Sequence, residues 1–254
     1  HSLVEKFFMP YKRKYLDPRI VDQYNDRHFG GVGGKYVLER ELAILNHLMG
    51  NIQSGLFLDI PCGTGIYTDY YSNRGFGVCG ADISRQMIQN ARQSIGENDF
   101  VLCDAEHTPF TNECFDIVLM LRLSQHLPLS VLKRILSELK RVTKRNGTVL
   151  FDTRLWSPRT SKPESLAGMH VYHPKQVSKL MDDVGLNLVG SESAFLFSTI
   201  LYRKFSLQVL KLLDTLEILF SKSLLLKTYW ACCPSPTEPD HSITQCHQLA
   251  NNPD

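Results

Sequence analysis

The strongest chemical signal in the sequence is a glycine-containing turn directly after a short apolar segment. Residues 56–60 are apolar except for Asp59, Gly63 and Gly65 follow, and a segment with helical spacing begins at Ile66. Glycine allows a ligand to approach the backbone closely, and the free amides at a helix start attract a carboxylate or a phosphate. The pattern predicts a buried strand, a ligand-binding turn and a helix in succession.

The residues around this turn discriminate between classes of ligand. A phosphate-binding P-loop needs a lysine after the turn, and Ile66-Tyr67-Thr68 contains none. A nicotinamide or flavin fingerprint needs a third glycine, where this chain has Thr68. An acid, Asp82, ends the next apolar segment, and Asp104 ends the one after it. A carboxylate at the position of Asp82 can accept hydrogen bonds from both ribose hydroxyls of a nucleoside.

The elements that must position these residues alternate in type along the chain. Short apolar runs are separated by segments in which apolar residues recur at helical spacing. The runs are mainly apolar and most lack a polar alternation, as in strands that are buried on both faces, so we predict an α/β fold with a mainly parallel sheet between two layers of helices. The predicted strands are 56–60, 77–82, 100–103, 115–121, 148–152 and 186–189, and the predicted helices are 35–49, 66–73, 85–95, 129–144 and 174–183.

With these motifs the chain resembles the class I S-adenosylmethionine-dependent methyltransferases, in particular the group that acts on small molecules. Residues 59–65 are similar to the first motif of that family and residues 80–91 to the second. Residues 115–126 resemble its fourth strand and the active-site loop, and residues 146–152 the next turn and strand. The resemblance spans about residues 30–190. It implies a Rossmann-like seven-stranded sheet with an antiparallel final strand, and S-adenosylmethionine as the cofactor.

The resemblance also implies a set of cofactor-binding residues. Asp82 is the expected ribose acid, Asp104 faces adenine, and the backbone of the two turn glycines lies near the methionine portion. From this we expect Gly65→Val to clash with the ligand and to leave the fold largely intact. Structural alternatives stay open: Asp59 could brace the turn, and Met87 could pack in the core. The full expected set is Arg27, Asp59, Pro61, Gly63, Gly65, Asp82, Ile83, Met87, Asp104, Ala105 and Leu121.

His126 is the candidate catalytic residue, because it lies in the loop where an acceptor would approach. A histidine there can act as general base for a hydroxyl or phenol, and its alternative role is to brace the loop before Pro128. The loop lacks the Asn/Asp-Pro-Pro-Tyr motif of enzymes that methylate nucleic-acid bases.

The net charge of the chain is nearly balanced, with 28 Lys and Arg against 26 Asp and Glu, which gives no reason to expect a nucleic-acid partner.

We therefore predict a methyltransferase that passes a methyl group to a small-molecule acceptor by in-line displacement. Two alternatives remain open at this stage. One is a non-catalytic binding or scaffold protein with the same fold. The other is a methyltransferase that acts on a lipid or quinone at the membrane surface, which it would contact through residues 207–230, an apolar stretch with five interspersed charges.

Four regions follow from these patterns. Residues 1–50 form an N-terminal helical arm or lid, 51–195 the cofactor-binding core, 196–233 an apolar C-terminal extension, and 234–254 a poorly ordered tail. The seven cysteines are an odd number, and the first four lie in or beside apolar segments, which disfavours a disulfide framework and favours a cytoplasmic location. The His and Cys spacings match no common zinc pattern, so no metal site is predicted.

Overall fold

The computed structural model describes residues 21, 24–96, 99–155, 169–195, 199–202, 204–219, 225 and 227–235, without the side chains at positions 26, 27, 200, 218 and 219. The first twenty residues of the predicted arm therefore lie outside the described residues. The same holds for the predicted tail beyond Ser235.

The described chain alternates between helices and strands, as the sequence predicts. The helices are α1 (Tyr24–Phe29), α2 (Gly31–Met49), α3 (Ile66–Ser72), α4 (Arg85–Ile95), α5 (Leu129–Val142), α6 (Pro174–Val184), α7 (Thr199–Tyr202) and α8 (Leu207–Leu219). The strands are β1 (Leu56–Asp59), β2 (Gly77–Asp82), β3 (Asp99–Leu102), β4 (Phe115–Met120), β5 (Thr143–Arg154), β6 (Leu186–Ala194) and β7 (Lys227–Pro234).

The strands form one seven-stranded sheet in the order β3-β2-β1-β4-β5-β7-β6. The pairs from β3 to β5 are parallel, whereas β7 is antiparallel to both β5 and β6. This confirms the predicted α/β fold and its antiparallel final strand. The strand order reverses between β1 and β4, and ligands of open α/β sheets bind in the crevice at such a point, beyond the carboxyl ends of the strands.

The central strand β4 shows why its apolar run has no polar alternation. Val118 and Met120 belong to the core on the face covered by α5 and α6, and Ile117 and Leu119 to the core on the opposite face, with α2 and α3. All four side chains are fully buried. Where a strand is covered on both sides, successive residues are apolar, because neither face meets water.

The predicted domain boundary at residue 195 is wrong. Lys227–Pro234 is not part of a C-terminal extension but forms β7, which fills the gap between β5 and β6 in the sheet. The charged residues of this region were expected along one side of an apolar stretch. Glu217 and Lys227 are instead buried, and each forms an ion pair with a residue of another element. Pairing with distant residues is what makes burial of these charges tolerable.

Helix ends show both a success and a difference. α6 begins at Pro174, as predicted, with His173 as its N-cap, and it ends at Val184, one residue later than predicted, with Gly185 as its C-cap. α5 was expected to continue to residue 144, but it ends at Val142, and β5 begins at Thr143. The Thr143 hydroxyl donates to the carbonyl of Leu139 (2.7 Å) within the last turn, and the residue already pairs with Phe115 of β4. Among the described residues, no helix is long and apolar enough to span a membrane.

Candidate active site

A cleft lies at the carboxyl ends of β1, β2 and β4, where the strand order reverses. Its walls come from the glycine-containing turn, the loops after β2 and β4, and the aromatic residues of α1. The lining residues are Tyr24, Phe29, Pro61, Cys62, Gly63, Thr64, Ile66, Tyr67, Asp82, Ile83, Met87, Leu121, Arg122, Leu123 and His126. Seven of the predicted site residues, from Pro61 to His126, are therefore brought together at this cleft.

The two turn glycines have different surroundings. Both have positive φ angles, +53° at Gly63 and +83° at Gly65. A Cβ atom at Gly63 would have only one neighbour within 4 Å, Tyr24 Cε1 at 3.9 Å, whereas one at Gly65 would lie 2.7 Å from Ile95 Cδ1 and 3.1 Å from Ala91 Cβ. Gly65 thus packs against α4 and does not line the cleft. The expectation for Gly65→Val is wrong, because the valine would collide with the protein itself.

Asp59 ends β1 behind the turn and does not line the cleft. Its Oδ2 accepts a hydrogen bond from the Thr68 hydroxyl of α3 (2.8 Å), and the side chain is 1% exposed. Burial raises the pKa of Asp59 to about 7, although the hydrogen bonds from Thr68 act to lower it. Asp59 thus holds the start of α3 against the end of β1, which is the bracing alternative considered for it.

Asp82 ends β2 and lines the cleft. Its Oδ2 accepts a hydrogen bond from the Gly63 amide (2.9 Å), and its Oδ1 accepts one from the Ser84 amide (2.8 Å). Burial raises the pKa of Asp82 to about 6, although the hydrogen bonds from Ser84 and Gly63 act to lower it. The carboxylate therefore connects the glycine turn to the start of α4 at the position predicted to bind ribose.

The remaining cofactor candidates divide between cleft and core. Asp104 is not among the lining residues, and its Oδ1 accepts a hydrogen bond from the Glu106 amide (3.1 Å) in the loop after β3. Ala105 packs into the core on the α5 side of the sheet. Arg27 lies in α1, and its side chain is outside the described residues.

His126 lines the cleft from a single 3₁₀ turn, Ser124–His126, after β4. Its Nε2 lies 3.3 Å from Gln125 Nε2. The loop is fastened by Tyr172, whose buried hydroxyl is 2.7 Å from the Ser124 carbonyl oxygen and 2.5 Å from that of Leu127. His126 therefore borders the cleft, and Tyr172 braces the loop.

Arg122, directly after β4, is a cleft residue whose contacts only the structure shows. It has a φ angle of +62°, a conformation that is uncommon for a residue other than glycine. Its backbone amide donates to Asp152 Oδ1 (2.8 Å), and its Nη2 donates to Glu41 Oε2 (2.5 Å). Its guanidinium lies over the Phe29 ring, 4.4 Å from the centroid. Asp152 and Glu41 thus hold the backbone and the side chain of Arg122, respectively.

Glu41 of α2 is fully buried at the centre of this arrangement. Its Oε1 accepts hydrogen bonds from Lys227 Nζ (2.7 Å) and the Tyr229 hydroxyl (2.8 Å), and its Oε2 accepts one from the Tyr67 hydroxyl (2.6 Å). Burial alone would raise the pKa of Glu41, but the charges of Arg122 and Lys227 outweigh it and hold the pKa well below its usual range. The carboxylate is therefore ionised at neutral pH.

A sequence signal for Glu41 was present. Val37, Glu41 and Leu45 are spaced by four residues and lie on the buried side of α2. An acid on such a stripe needs a partner, but that partner was not predictable, because Lys227 is 186 residues away in the chain.

Residues 58–151 match a family model described as a methyltransferase domain. Over 117 residues the chain is 30% identical to malonyl-[acyl-carrier protein] O-methyltransferase of Hamiltonella defensa, covering 46% of this chain and 45% of that protein. Over 139 residues it is 32% identical to the enzyme of the same name from Serratia marcescens, covering 54% of each. The chain thus spans about half the length of the curated relatives it matches.

A solved structure with the same fold is the magnesium protoporphyrin IX methyltransferase of Synechocystis PCC 6803 with bound SAM (S-adenosylmethionine). The TM-score is 0.60 at 15% identity, and the match covers 89% of this chain and 96% of that one. The segment that matches the family model, residues 58–151, contains the glycine turn, Asp82 and β4. Residues 58–151 therefore resemble a methyltransferase domain in sequence, and the chain has the Rossmann-like fold of these enzymes.

Proposed function

We propose that the protein is an S-adenosylmethionine-dependent methyltransferase that acts on a small-molecule acceptor. The observation that carries this proposal is the position of Asp82. Its carboxylate lies beside the Gly63 amide at the switch point of a matched methyltransferase domain. A nucleoside on this turn can donate its ribose hydroxyls to Asp82, and its purine can contact the apolar side chains of Ile83 and Met87.

The residues of the cleft fit this cofactor. Gly63 leaves the space above the turn open, and Leu121 and Phe29 add apolar surface on the side of β4. When bound, the cofactor supplies an activated methyl group. The protein then has to align the acceptor in line with the methyl group and to exclude water. Such positioning alone can accelerate the transfer greatly. Tyr24 and Phe29 line the cleft and serve that exclusion.

A carboxylate oxygen is the acceptor class that we propose to test first. The similar proteins from Hamiltonella and Serratia are named malonyl-[acyl-carrier protein] O-methyltransferases, so a carboxylate presented on an acyl carrier protein is the corresponding substrate here. A carboxylic acid with a pKa of about 4 is ionised at neutral pH and needs no general base. On such an acceptor His126 would orient the substrate, whereas on a hydroxyl or phenol it would remove the proton.

Two measurements test the proposal. Calorimetric titration with S-adenosylmethionine should show binding by the purified protein, and transfer of a labelled methyl group to a malonyl thioester should show the activity. In His126→Ala, turnover should fall by roughly 10²–10⁴ for a hydroxyl acceptor but much less for a carboxylate. A folded protein that does not bind S-adenosylmethionine would refute the proposal and favour a scaffold role.

One observation favours an acceptor at a membrane surface as a second candidate. Leu207, Val209 and Leu212 of α8 are exposed, at 47%, 39% and 59%. Exposed leucines on a helix can enter the interface of a bilayer. Flotation with liposomes should carry the protein upward if this candidate is right, and Leu212→Glu should abolish the effect.

We also propose a cytoplasmic location, because the six described cysteines are free thiols.

A further inference from the structure

Arg122 differs in charge from the other residues that line the cleft. Among the described lining residues it is the one lysine or arginine. It follows β4, whereas Asp82 ends β2, and β1 with its glycine turn lies between these two strands. Neighbouring strands are about 4.8 Å apart, so the two side chains mark positions about 10 Å apart across the turn. A ligand anchored at Asp82 that extends over the turn therefore reaches Arg122 with its other end.

Arg122 is held in a network of four charged residues. Glu41 binds its guanidinium (2.5 Å), and Asp152 accepts from its backbone amide (2.8 Å). Lys227 Nζ lies 2.7 Å from a carboxylate oxygen of each acid and thus links Glu41 to Asp152. Two positive and two negative groups balance, so the buried side chains are compensated before any ligand arrives. A cationic group fixed in this way is preorganised and need not be ordered again on binding.

The Tyr24 hydroxyl is a further hydrogen-bond partner of the guanidinium, but these contacts together still do not saturate it. Arginine has five N–H donors, and Nε of Arg122 is buried without a hydrogen-bond partner among the described residues. Buried donors are nearly always paired in native proteins, and the planar fork of an arginine matches a carboxylate best. The remaining donors therefore favour an acidic ligand group at this end of the cleft.

We propose that Arg122 is a specificity-determining residue that binds a carboxylate of a ligand in the cleft, and that Glu41, Lys227 and Asp152 position it. This inference rests on the proposed function, under which two ligands supply that chemistry. One is the amino-acid end of the cofactor, and the other is the acidic end of a carboxylate acceptor.

The chain contains a matched control for this role. Arg40, the neighbour of Glu41 on α2, has its Nη2 2.6 Å from the buried carboxylate of Glu217 and lies 5.6 Å from the centroid of the Phe195 ring. Arg40 therefore shares the ion pair and the aromatic contact with Arg122, but it does not line the cleft. Comparison of Arg122→Gln with Arg40→Gln separates ligand binding from the general effect of losing a buried ion pair.

Calorimetry with two pairs of probes tests the proposal. S-adenosylhomocysteine and 5′-methylthioadenosine share a nucleoside, and only the first has a carboxylate. Malonyl-pantetheine and acetyl-pantetheine, titrated in the presence of S-adenosylhomocysteine, differ in the same way. Arg122→Gln should lower the affinity for one of the two carboxylate probes by about tenfold to a hundredfold, relative to the probe of the same pair that lacks the carboxylate. Arg40→Gln should not lower the affinity for either carboxylate probe in this way. Loss for S-adenosylhomocysteine assigns the cofactor as the source, and loss for malonyl-pantetheine alone assigns the acceptor.

The outcomes that overturn the proposal are equally defined. If Arg122→Gln leaves all affinities unchanged, or lowers the affinities for both probes of a pair equally, Arg122 binds no carboxylate. Should Arg122→Gln fail to fold, Arg122→Lys keeps the charge but loses the fork, and the same selective loss is expected at smaller size. A wild-type protein that does not bind S-adenosylhomocysteine refutes the proposed function instead, so the two failures are distinguishable.

Discussion

Asp59 and Asp82 end neighbouring parallel strands, and burial raises the pKa of both, yet they serve different purposes. Asp59 points back into the protein and receives the Thr68 hydroxyl of α3. Asp82 lies at the cleft and receives the backbone amides of Gly63 and Ser84. Burial and a raised pKa therefore do not distinguish a structural acid from the acid that we propose as the ribose ligand. The distinction comes from whether the acid borders the cleft.

The same contrast holds for the two glycines that follow β1. Both need a positive φ angle, but Gly63 borders open space and Gly65 contacts α4. The Gly-x-Gly pattern of this chain thus contains one glycine that borders the cleft and one that packs against a helix. The comparison between the inward and the cleft-facing member of each pair leads to four predictions.

The largest expected effect is that of Asp82→Ala on cofactor affinity. Two charge-assisted hydrogen bonds, each worth roughly 1.5–3 kcal/mol, should be lost, so S-adenosylmethionine should bind about 100- to 10,000-fold more weakly. Asp59→Asn should change the affinity by less than tenfold, because Asp59 does not line the cleft. Calorimetric titration of both variants measures the difference, and equal losses would erase the distinction between the two acids.

The second effect is on the pH dependence of binding. The pKa of Asp82 is raised by burial from its usual 3.8 to about 6, so the carboxyl takes up a proton as the pH falls through 6. Ribose hydroxyls favour the ionised form. Affinity for S-adenosylhomocysteine should therefore be constant above pH 6 and should fall by up to about tenfold per pH unit below it. Asp82→Asn should bind weakly with no such slope, and a slope that persists in this variant would assign it to another group.

The third effect is on stability, and it compares the two glycines. Alanine at either position adopts a strained positive φ angle, at a cost of about 1 kcal/mol. At Gly65 the new methyl group also collides with Ile95 and Ala91, which adds about 1–3 kcal/mol. Thermal denaturation should therefore show a lower Tm for Gly65→Ala than for Gly63→Ala. Equal Tm values would mean that α4 moves away freely.

The smallest effect concerns Asp59 and stability. Burial raises its pKa from 3.8 to about 7, so the folded state binds its proton more tightly than the unfolded state. Stability from this group is therefore greatest below about pH 4, declines as the pH rises towards 7, and is constant above that. Asp59→Asn can still accept from Thr68 and should remove the decline between pH 6 and 7. Urea unfolding at these two values measures it, and an unchanged decline would contradict the role of Asp59.

Much of this architecture was predictable from local patterns. The apolar runs of β1 and β4 identify strands buried on both faces, and the Pro174 and Gly185 signals delimit α6. The glycine turn and the acid Asp82 identify the cleft, because strand ends in a parallel sheet meet at one edge. Each of these signals lies within a few residues of the feature that it predicts.

Other features depend on residues that are far apart in the sequence. Lys227 is one of the charges that interrupt an apolar stretch, and for that reason this region was expected to be an extension and not a strand of the sheet. Its burial in β7 is possible because folding brings it to Glu41, 186 residues away, and to Asp152. In the same way, only the tertiary structure shows that Gly65 packs against α4. Local sequence is sufficient for elements whose burial follows from their own pattern, whereas a buried charge is stable only with a partner that tertiary structure supplies.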